Sequence, residues 1–290
     1  DSYDRFRGRL MIPIRDARGR VIAFGGRILG AGEPKYLNSP DTPLFDKGRT
    51  LYNIDRAGPA NRKTNRVIVV EGYMDVIALA QAGIEDAVAP LGTALTEHQI
   101  ARLWRLSDAP ILCFDGDSAG QKAAVRAIGR ALPGLAPACS LSFVTLPQGQ
   151  DPDDLIKSSG RAAMDALLDK PEALVDRLWR HELEAEPLAT PEARAGLRQR
   201  LRNHTQVIEN GSVREQYDLE FRQRFDDAFR RPVQPRFEQR RLEPRRPGQR
   251  GGRFQAYEAP PTNATRSISG GGIDAIYARA ILAGLLHHPT

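Results

Sequence analysis

Over the first sixty residues the apolar positions fall in short runs broken by turn residues. Leu10-Met11-Ile12-Pro13-Ile14 and Val21-Ile22-Ala23-Phe24 flank Asp16-Ala17-Arg18-Gly19, the pattern of two strands joined by a tight turn. Gly25-Gly26 is expected to end the second strand, and Pro34 to Pro43, rich in Pro, Asn, Ser and Asp, reads as a loop. From residue 66 the pattern changes. Val67-Ile68-Val69-Val70 is a continuous apolar run, as expected of a strand buried on both faces. Helical spacing follows over Tyr73–Ala82, then a short strand at Ala87-Val88-Ala89. Thr96 and Gln99 make a capping box for a helix running through Leu106. Ile111–Phe114 is a third strand, Ser118–Leu132 a third helix and Leu141–Leu146 a fourth strand. Strand and helix alternating through short links predict a parallel α/β sheet flanked by helices.

Residues 153–231 read as helical. Within them Val213, Tyr217, Phe221, Phe225 and Phe229 recur every four positions, an apolar stripe that packs into a helical core rather than a ladder for stacking bases. Residues 232–272 are dominated by Arg, Pro, Gly, Gln and Ser, the composition of a disordered linker. Residues 273–290 resume a helical pattern through Ile276, Ala280, Ile281 and Leu285. The expected organisation is therefore a basic mixed α+β subdomain over 1–60, a parallel-sheet domain over 61–150 and a helical subdomain over 151–231. A linker over 232–272 leads to the first helix, 273–290, of a truncated domain. The opening Asp1-Ser2-Tyr3-Asp4 carries no Met and no signal pattern, so the chain reads as a fragment of a longer protein.

Composition changes this picture only in part. A chain of 290 residues with 41% hydrophobic content supports one or two cored domains, and no apolar run is long enough to span a membrane. Cys113 and Cys139 build no disulfide framework, and with five histidines they show no zinc-ligand spacing, so a reducing cytoplasm is the expectation. The net charge of +6 permits nucleic-acid binding without establishing it. Its distribution says more: Arg5, Arg7, Arg9, Arg15, Arg18, Arg20 and Arg27 crowd the N-terminus, and a second cluster, Arg231 to Arg253, falls in the linker.

The carboxylates carry the chemistry. Glu71 follows the first buried strand directly, and Asp115 and Asp117 follow the third in Phe114-Asp115-Gly116-Asp117. Sites in an open parallel sheet lie beyond the carboxyl ends of its strands, so these acids meet at one edge. Asp75 lies one helical turn past Glu71, and Asp151, Asp153 and Asp154 follow the fourth strand. So many like charges raise one another's pKa, and a hard divalent cation with oxygen ligands, magnesium above all, resolves the conflict. A single acid at a strand end is more simply a helix cap, which Asp117 is expected to be in part. Gly72 and Gly116 are expected to let the backbone turn beside the ions, and the helix begun near Gly120 to attract phosphate at its N-terminus.

These residues bring a resemblance into view. Glu71-Gly72-Tyr73-Met74-Asp75 and Asp115-Gly116-Asp117-Ser118-Ala119-Gly120 resemble the paired motifs of the Toprim domain, shared by primases, topoisomerases and some nucleases. Asp151-Pro152-Asp153-Asp154 is similar to the third acidic motif of primases. Arg7 to Ile14 and Pro34-Lys35-Tyr36-Leu37-Asn38-Ser39-Pro40 resemble the RNA-polymerase core of bacterial DNA primases of the DnaG type, and the similarity runs in order from about residue 5 to 230. The resemblance implies a Toprim fold with Glu71, Asp115 and Asp117 as catalytic metal carboxylates and Asp75, Asp151 and Asp153 as further ligands. Arg27, Lys35, Tyr36 and Asn38 fall at positions of a basic ridge that contacts DNA or nucleotide. It also implies magnesium, with manganese as the alternative ion, and zinc only in a domain this chain lacks. The implied partners are a single-stranded DNA template, ribonucleoside triphosphates and, through the truncated C-terminal part, the replicative helicase; the core is expected to be monomeric. Whether Glu71 is a ligand or a proton acceptor stays open, and a Toprim nuclease or topoisomerase subunit and a non-catalytic nucleic-acid-binding module are the competing readings.

Overall fold

The protein is described by a computed structural model covering residues 4–229. The expected linker, 232–272, and the helix at 273–290 lie outside the described residues. The N-terminal hairpin forms as its pattern predicts. Strand β1 (Arg9–Arg15) pairs antiparallel with β2 (Val21–Ile28), and Gly19 takes a φ of 80° in the connecting turn. The second strand does not stop at Gly25-Gly26, as the sequence led one to expect, but runs through both to Ile28. The glycines are there for close packing: a side chain on Gly26 would come within 2.7 Å of the Phe6 ring, and one on Gly25 within 3.2 Å of Tyr73. Part of the expected loop is also a strand. β3 (Tyr36–Asn38) adds to the other side of β2, in the register Arg27↔Tyr36 and Gly25↔Asn38.

Helix α1 (Ile54–Thr64) was not legible in the sequence. It carries Pro59 in its interior and few apolar residues, both signals against a helix. It is held through a narrow face of Ile54, Ala57 and Ala60, all buried.

From residue 68 the predicted alternation appears. Strand β4 (Ile68–Val69) is followed by α2 (Tyr73–Gln81), β5 (Ala87–Val88), α3 (Glu97–Leu103) and β6 (Ile111–Phe114). Then come α4 (Ser118–Ala131), a single 3-10 turn at Leu132–Gly134, and β7 (Ser142–Thr145). The capping box on α3 forms as predicted, with Thr96 Oγ1 accepting from Gln99 N–H and Gln99 Oε1 accepting from Thr96 N–H. The chain continues through α5 (Pro152–Leu168), β8 (Glu172–Ala173), α6 (Leu174–Glu184), α7 (Pro191–Gln206) and α8 (Gly211–Phe229). The sheet order is β5-β4-β6-β7-β8, parallel except for β8, which closes one edge antiparallel to β7.

Alternate residues of the central strands feed two cores. Val67, Val69, Leu112 and Phe114 point into one, which also takes in Leu174, Leu178, Leu197, Leu201 and Phe221 from the C-terminal helices. Ile68, Val70, Ile111 and Cys113 point into the other, filled by Val76 and Leu79 of α2 and Leu155, Met164 and Leu168 of α5. Helices after residue 150 thus pack into the same cores as the sheet. The aromatic stripe behaves as packing: Phe221 is buried and stacks on Trp179 at 6.3 Å, while Arg198 lies over Phe225. Buried Glu182 ties α6 to α7 by accepting from Arg200 Nε and pairing with His204 Nε2, each at 2.6 Å.

Candidate active site

The central position of β4 beside β6 decides where the acids meet. The two strands are parallel and in register, so their carboxyl ends present Glu71 and Asp115 side by side. Glu71 Oε1 accepts the Asp115 backbone N–H at 3.1 Å. Asp75 Oδ2 accepts from Gly72 N–H at 3.1 Å, which holds it at the first turn of α2. Asp151 caps α5 through Asp154 N–H at 2.7 Å, and Asp153 pairs with Lys157 at 2.5 Å.

These side chains enclose one cavity of about 370 Å³. Glu71, Asp75, Asp115, Asp151 and Asp153 line it on the sheet side, and Arg27, Lys35, Tyr36 and Asn38 line it from the hairpin side. Nine of the ten residues that the resemblance assigns to the site therefore share one space. The exception is Asp117, whose Oδ1 caps α4 by accepting Gly120 N–H at 2.8 Å, while its charge still reaches Glu71 and Asp115.

The expected role of glycine at Gly116 differs from the one found. It takes no left-handed φ; a Cβ there would overlap the Pro147 carbonyl oxygen, and one on Gly120 the Asp115 carbonyl oxygen. Both are required by close backbone approach, which lets the β7–α5 loop press against the Asp115 turn.

At Glu71, Asp75 and Asp115 the electrostatics are those of crowded, partly desolvated acids with no ion-pair partner among the described residues. Asp115 is pushed up to about 7, first by burial and then by Glu71, Asp75, Asp151 and Asp117. Asp75 is pushed up to about 6, first by burial, against the opposing Gly72 hydrogen bond, with Asp151, Glu71 and Asp153 adding to the rise. Glu71 is raised too, chiefly by burial. Asp115 Oδ1 is buried with no hydrogen-bond partner, an oxygen in want of a cation or a donor. As they stand, no three acidic, His or Cys groups among the described residues are drawn together tightly enough to grip a metal. The reason is local: Asp75, Asp117 and Asp151 are turned toward the N–H groups of their own helices. The donor set, the orphaned Asp115 oxygen and the raised pKa values fit a hard divalent cation.

The opposite wall is cationic and aromatic. Strand pairing sets Arg27 beside Tyr36, and the Arg27 guanidinium lies over the Tyr36 ring at 5.6 Å, with the Lys35 ammonium 5.9 Å from the same ring. Tyr36 meets Tyr73 edge-on at 5.4 Å. Asn38 donates to the Leu91 carbonyl at 3.0 Å and accepts from the Tyr73 hydroxyl at 3.4 Å, so it clasps the hairpin sheet to the larger one. Sequence reasoning missed Tyr73, Met74, Pro90 and Gly92, which line the same cavity. For the last two a signal existed: Pro90 to Gly92 follow β5 as Glu71 follows β4, and the rule placing sites beyond parallel strands applies to both.

Comparison with known proteins agrees with this layout. A family model described as "DNA primase catalytic core, N-terminal domain" matches residues 1–58, and one described as "Toprim domain" matches residues 65–144. The chain is 52% identical over 197 residues to the DNA primase of Pseudomonas aeruginosa and 50% identical over 196 residues to that of Escherichia coli. These matches cover 67% and 68% of this chain but 30% and 34% of the relatives, so the chain spans about a third of the length of the curated relatives it matches. Among solved structures, it is similar to a DNA primase domain from Pseudomonas aeruginosa, with 46% identity and a TM-score of 0.72 over 78% of this chain and 69% of that one. It is likewise similar to a DnaG primase catalytic domain bound to ssDNA, with 44% identity and a TM-score of 0.71 over 78% and 72% of the two chains.

Proposed function

This chain belongs to the DnaG-type bacterial DNA primase family, and from that premise we propose that it joins ribonucleotides into short RNA primers on a single-stranded DNA template. The observation that carries the reading is the single cavity in which half-buried carboxylates face Arg27 and Lys35. In the reaction a ribonucleotide 3′-hydroxyl oxygen bonds to the α-phosphorus of an incoming triphosphate, the bond from that phosphorus to the β-phosphate bridging oxygen breaks, pyrophosphate leaves, and the hydroxyl proton is released.

Lys35 and Arg27 bind phosphate on the hairpin side, and Arg27 also rests on the Tyr36 face, which fixes its guanidinium with little loss of side-chain freedom. Tyr36, wedged against Tyr73, offers an edge for a base or ribose. Asn38 holds this wall at a set distance from the carboxylates. Glu71, Asp75, Asp115, Asp151 and Asp153 would hold divalent magnesium, or manganese in its place, with Asp117 supporting the set from its capping position. The bound ion supplies charge neutralisation at the triphosphate and a lowered pKa for the attacking hydroxyl. Template DNA and ribonucleoside triphosphates are the proposed substrates. The replicative helicase is the proposed partner through the C-terminal part that begins near residue 273, the core acts as a monomer, and the compartment is the cytoplasm. Among the described residues no helix is long and apolar enough to cross a membrane.

The test is incorporation of radiolabelled ribonucleotides on single-stranded DNA with and without magnesium. Magnesium-dependent RNA products in the wild-type chain and none in Asp115→Asn support the reading. Cleavage of the template without RNA synthesis would replace it with a nuclease.

A further inference from the structure

Away from the carboxylate cavity, α4 and α6 form the walls of a second cleft, of about 620 Å³, lined by Gln121, Lys122, Val125, Arg126, Arg177, Arg180, His181 and Glu184. Lys122 and Arg126 are exposed, one helical turn apart on α4, and neither has a carboxylate partner among the described residues. Like charges at this spacing repel on a bare helix. The floor is built rather than incidental: buried Arg177 donates to Thr145 Oγ1 at 3.0 Å, to Glu172 at 3.4 Å and to Gln121 Oε1. That network locks β7, β8, α4 and α6 together, so the basic groups above it sit on a rigid base. Arg180 is held by the same Glu172, and Glu184 is the one acid lining the cleft that is not already paired.

The cleft adjoins the catalytic edge. Helix α4 starts at its cap Asp117, and the Arg126 charge is felt by Glu71. We propose that the α4–α6 cleft binds the phosphate backbone of the nucleic acid beyond the catalytic cavity, with Lys122 and Arg126 as its contacts. Four residues of helix rise about 6 Å, a span of about two phosphates at roughly 3.4 Å each along one strand. The cleft thereby gives a growing RNA–DNA hybrid a second hold on the protein, in addition to the hairpin wall of Arg27 and Lys35. This inference rests on the nucleotidyl-transfer reading above, but its test is read without turnover.

Lys122→Gln, Arg126→Gln and the double variant would be compared with the wild-type 290-residue chain in binding a fluorescent short RNA annealed to a longer DNA template, over a series of salt concentrations. Lys63→Gln, an exposed lysine at the end of α1, serves as the control for net charge, and melting temperatures check folding. With about 0.9 of salt slope per phosphate contact on a duplex, the double variant should bind with a slope shallower by about 1.8 and roughly 60-fold more weakly at 0.1 M salt. A slope equal to wild type, or a loss matched by Lys63→Gln, overturns the proposal. So does a loss of GTP binding with hybrid binding intact, which would assign the cleft to a nucleoside triphosphate. Asp115→Asn should bind the hybrid with the two groove contacts intact while losing incorporation; a wild-type chain that incorporates no ribonucleotide would sink the nucleotidyl-transfer reading and leave the hybrid measurement to judge the cleft alone.

Discussion

Asp115 concentrates the chemistry of the site in one side chain. Its carboxyl is raised from an ordinary value of 3.8 to about 7 by burial and by four neighbouring acids. The folded, metal-free protein keeps a proton there that the unfolded chain has already released. Its contribution to stability is therefore full below about pH 4 and is lost as pH rises toward 7. Asp115→Asn removes that loss. After discounting for solvent screening at a partly exposed group, the gain at pH 8 is about 1 kcal/mol, or about 2–4 °C in melting temperature. The expected outcome is a variant that melts higher than wild type in EDTA at pH 8, shows no such advantage at pH 4, and makes no RNA. A melting temperature at or below wild type in EDTA at pH 8 would show that Asp115 is not held against its charge. On the opposite wall, Lys35→Ala should make the salt slope of single-stranded DNA binding shallower by about 0.7, with magnesium binding unchanged; fluorescence anisotropy over a salt series reads the first and calorimetry the second. Tyr73 escaped notice in the sequence because a tyrosine at the first turn of a helix carries no sign of where its ring goes. The pairing of Tyr36 beside Arg27 is what brings it against Tyr36 at the cavity wall.

Short elements position these residues, and several are defined by tight backbone contacts. The turn from β6 into α4 depends on Gly116 and Gly120, where any Cβ would collide with backbone carbonyl oxygens of Pro147 and Asp115. Gly120→Ala should destabilise the protein by about 3 kcal/mol, at the upper end of overpacking effects because backbone cannot move aside as a side chain can. It should also lower activity, since Asp115 and Asp117 flank the strained contact; chemical denaturation measures the first and primer synthesis the second. A loss under about 1 kcal/mol would mean the turn relaxes. The strands and helices from β4 to β7 were legible because buried parallel strands are continuously apolar and their helices keep helical periodicity. β3, β8 and α1 were not. β3 and β8 are three and two residues long, too short to show alternation, and exist because a neighbouring strand offers free hydrogen-bonding groups. α1 exists because Ala57 and Ala60 fit a close contact that helix propensity does not report.

Across the molecule, the C-terminal helices and the sheet share their cores. Leu112 of β6 and Leu201 of α7 belong to one apolar cluster, and Leu168 of α5 joins Ile68 of β4 in the other. The expected consequence is a single cooperative unfolding transition for the described part of the chain, with no separate melting of the helices after residue 150. Leu112→Ala and Leu201→Ala should each lower that one transition by about 2–5 kcal/mol. Two resolved calorimetric transitions, or a Leu201→Ala variant that shifts only one of them, would show the helical part to be an independent unit.

The amino-acid sequence by itself determined the parallel sheet, its helices and the carboxylates at its edge, because burial on both faces and the carboxyl-end rule are written in local runs and spacings. The acidic and basic blocks were also enough to reveal the family. What only the tertiary structure decided was the second wall and the state of the acids. Arg27, Lys35, Tyr36 and Asn38 face Glu71 and Asp115 because β3 adds to β2 and Asn38 reaches Leu91 across the two sheets, a contact between residues more than fifty apart. Asp117 turns out to cap α4 at the edge of the site, and Asp115 to hold a proton near neutrality, because burial and the sum of neighbouring charges are properties of the folded arrangement that no stretch of sequence contains.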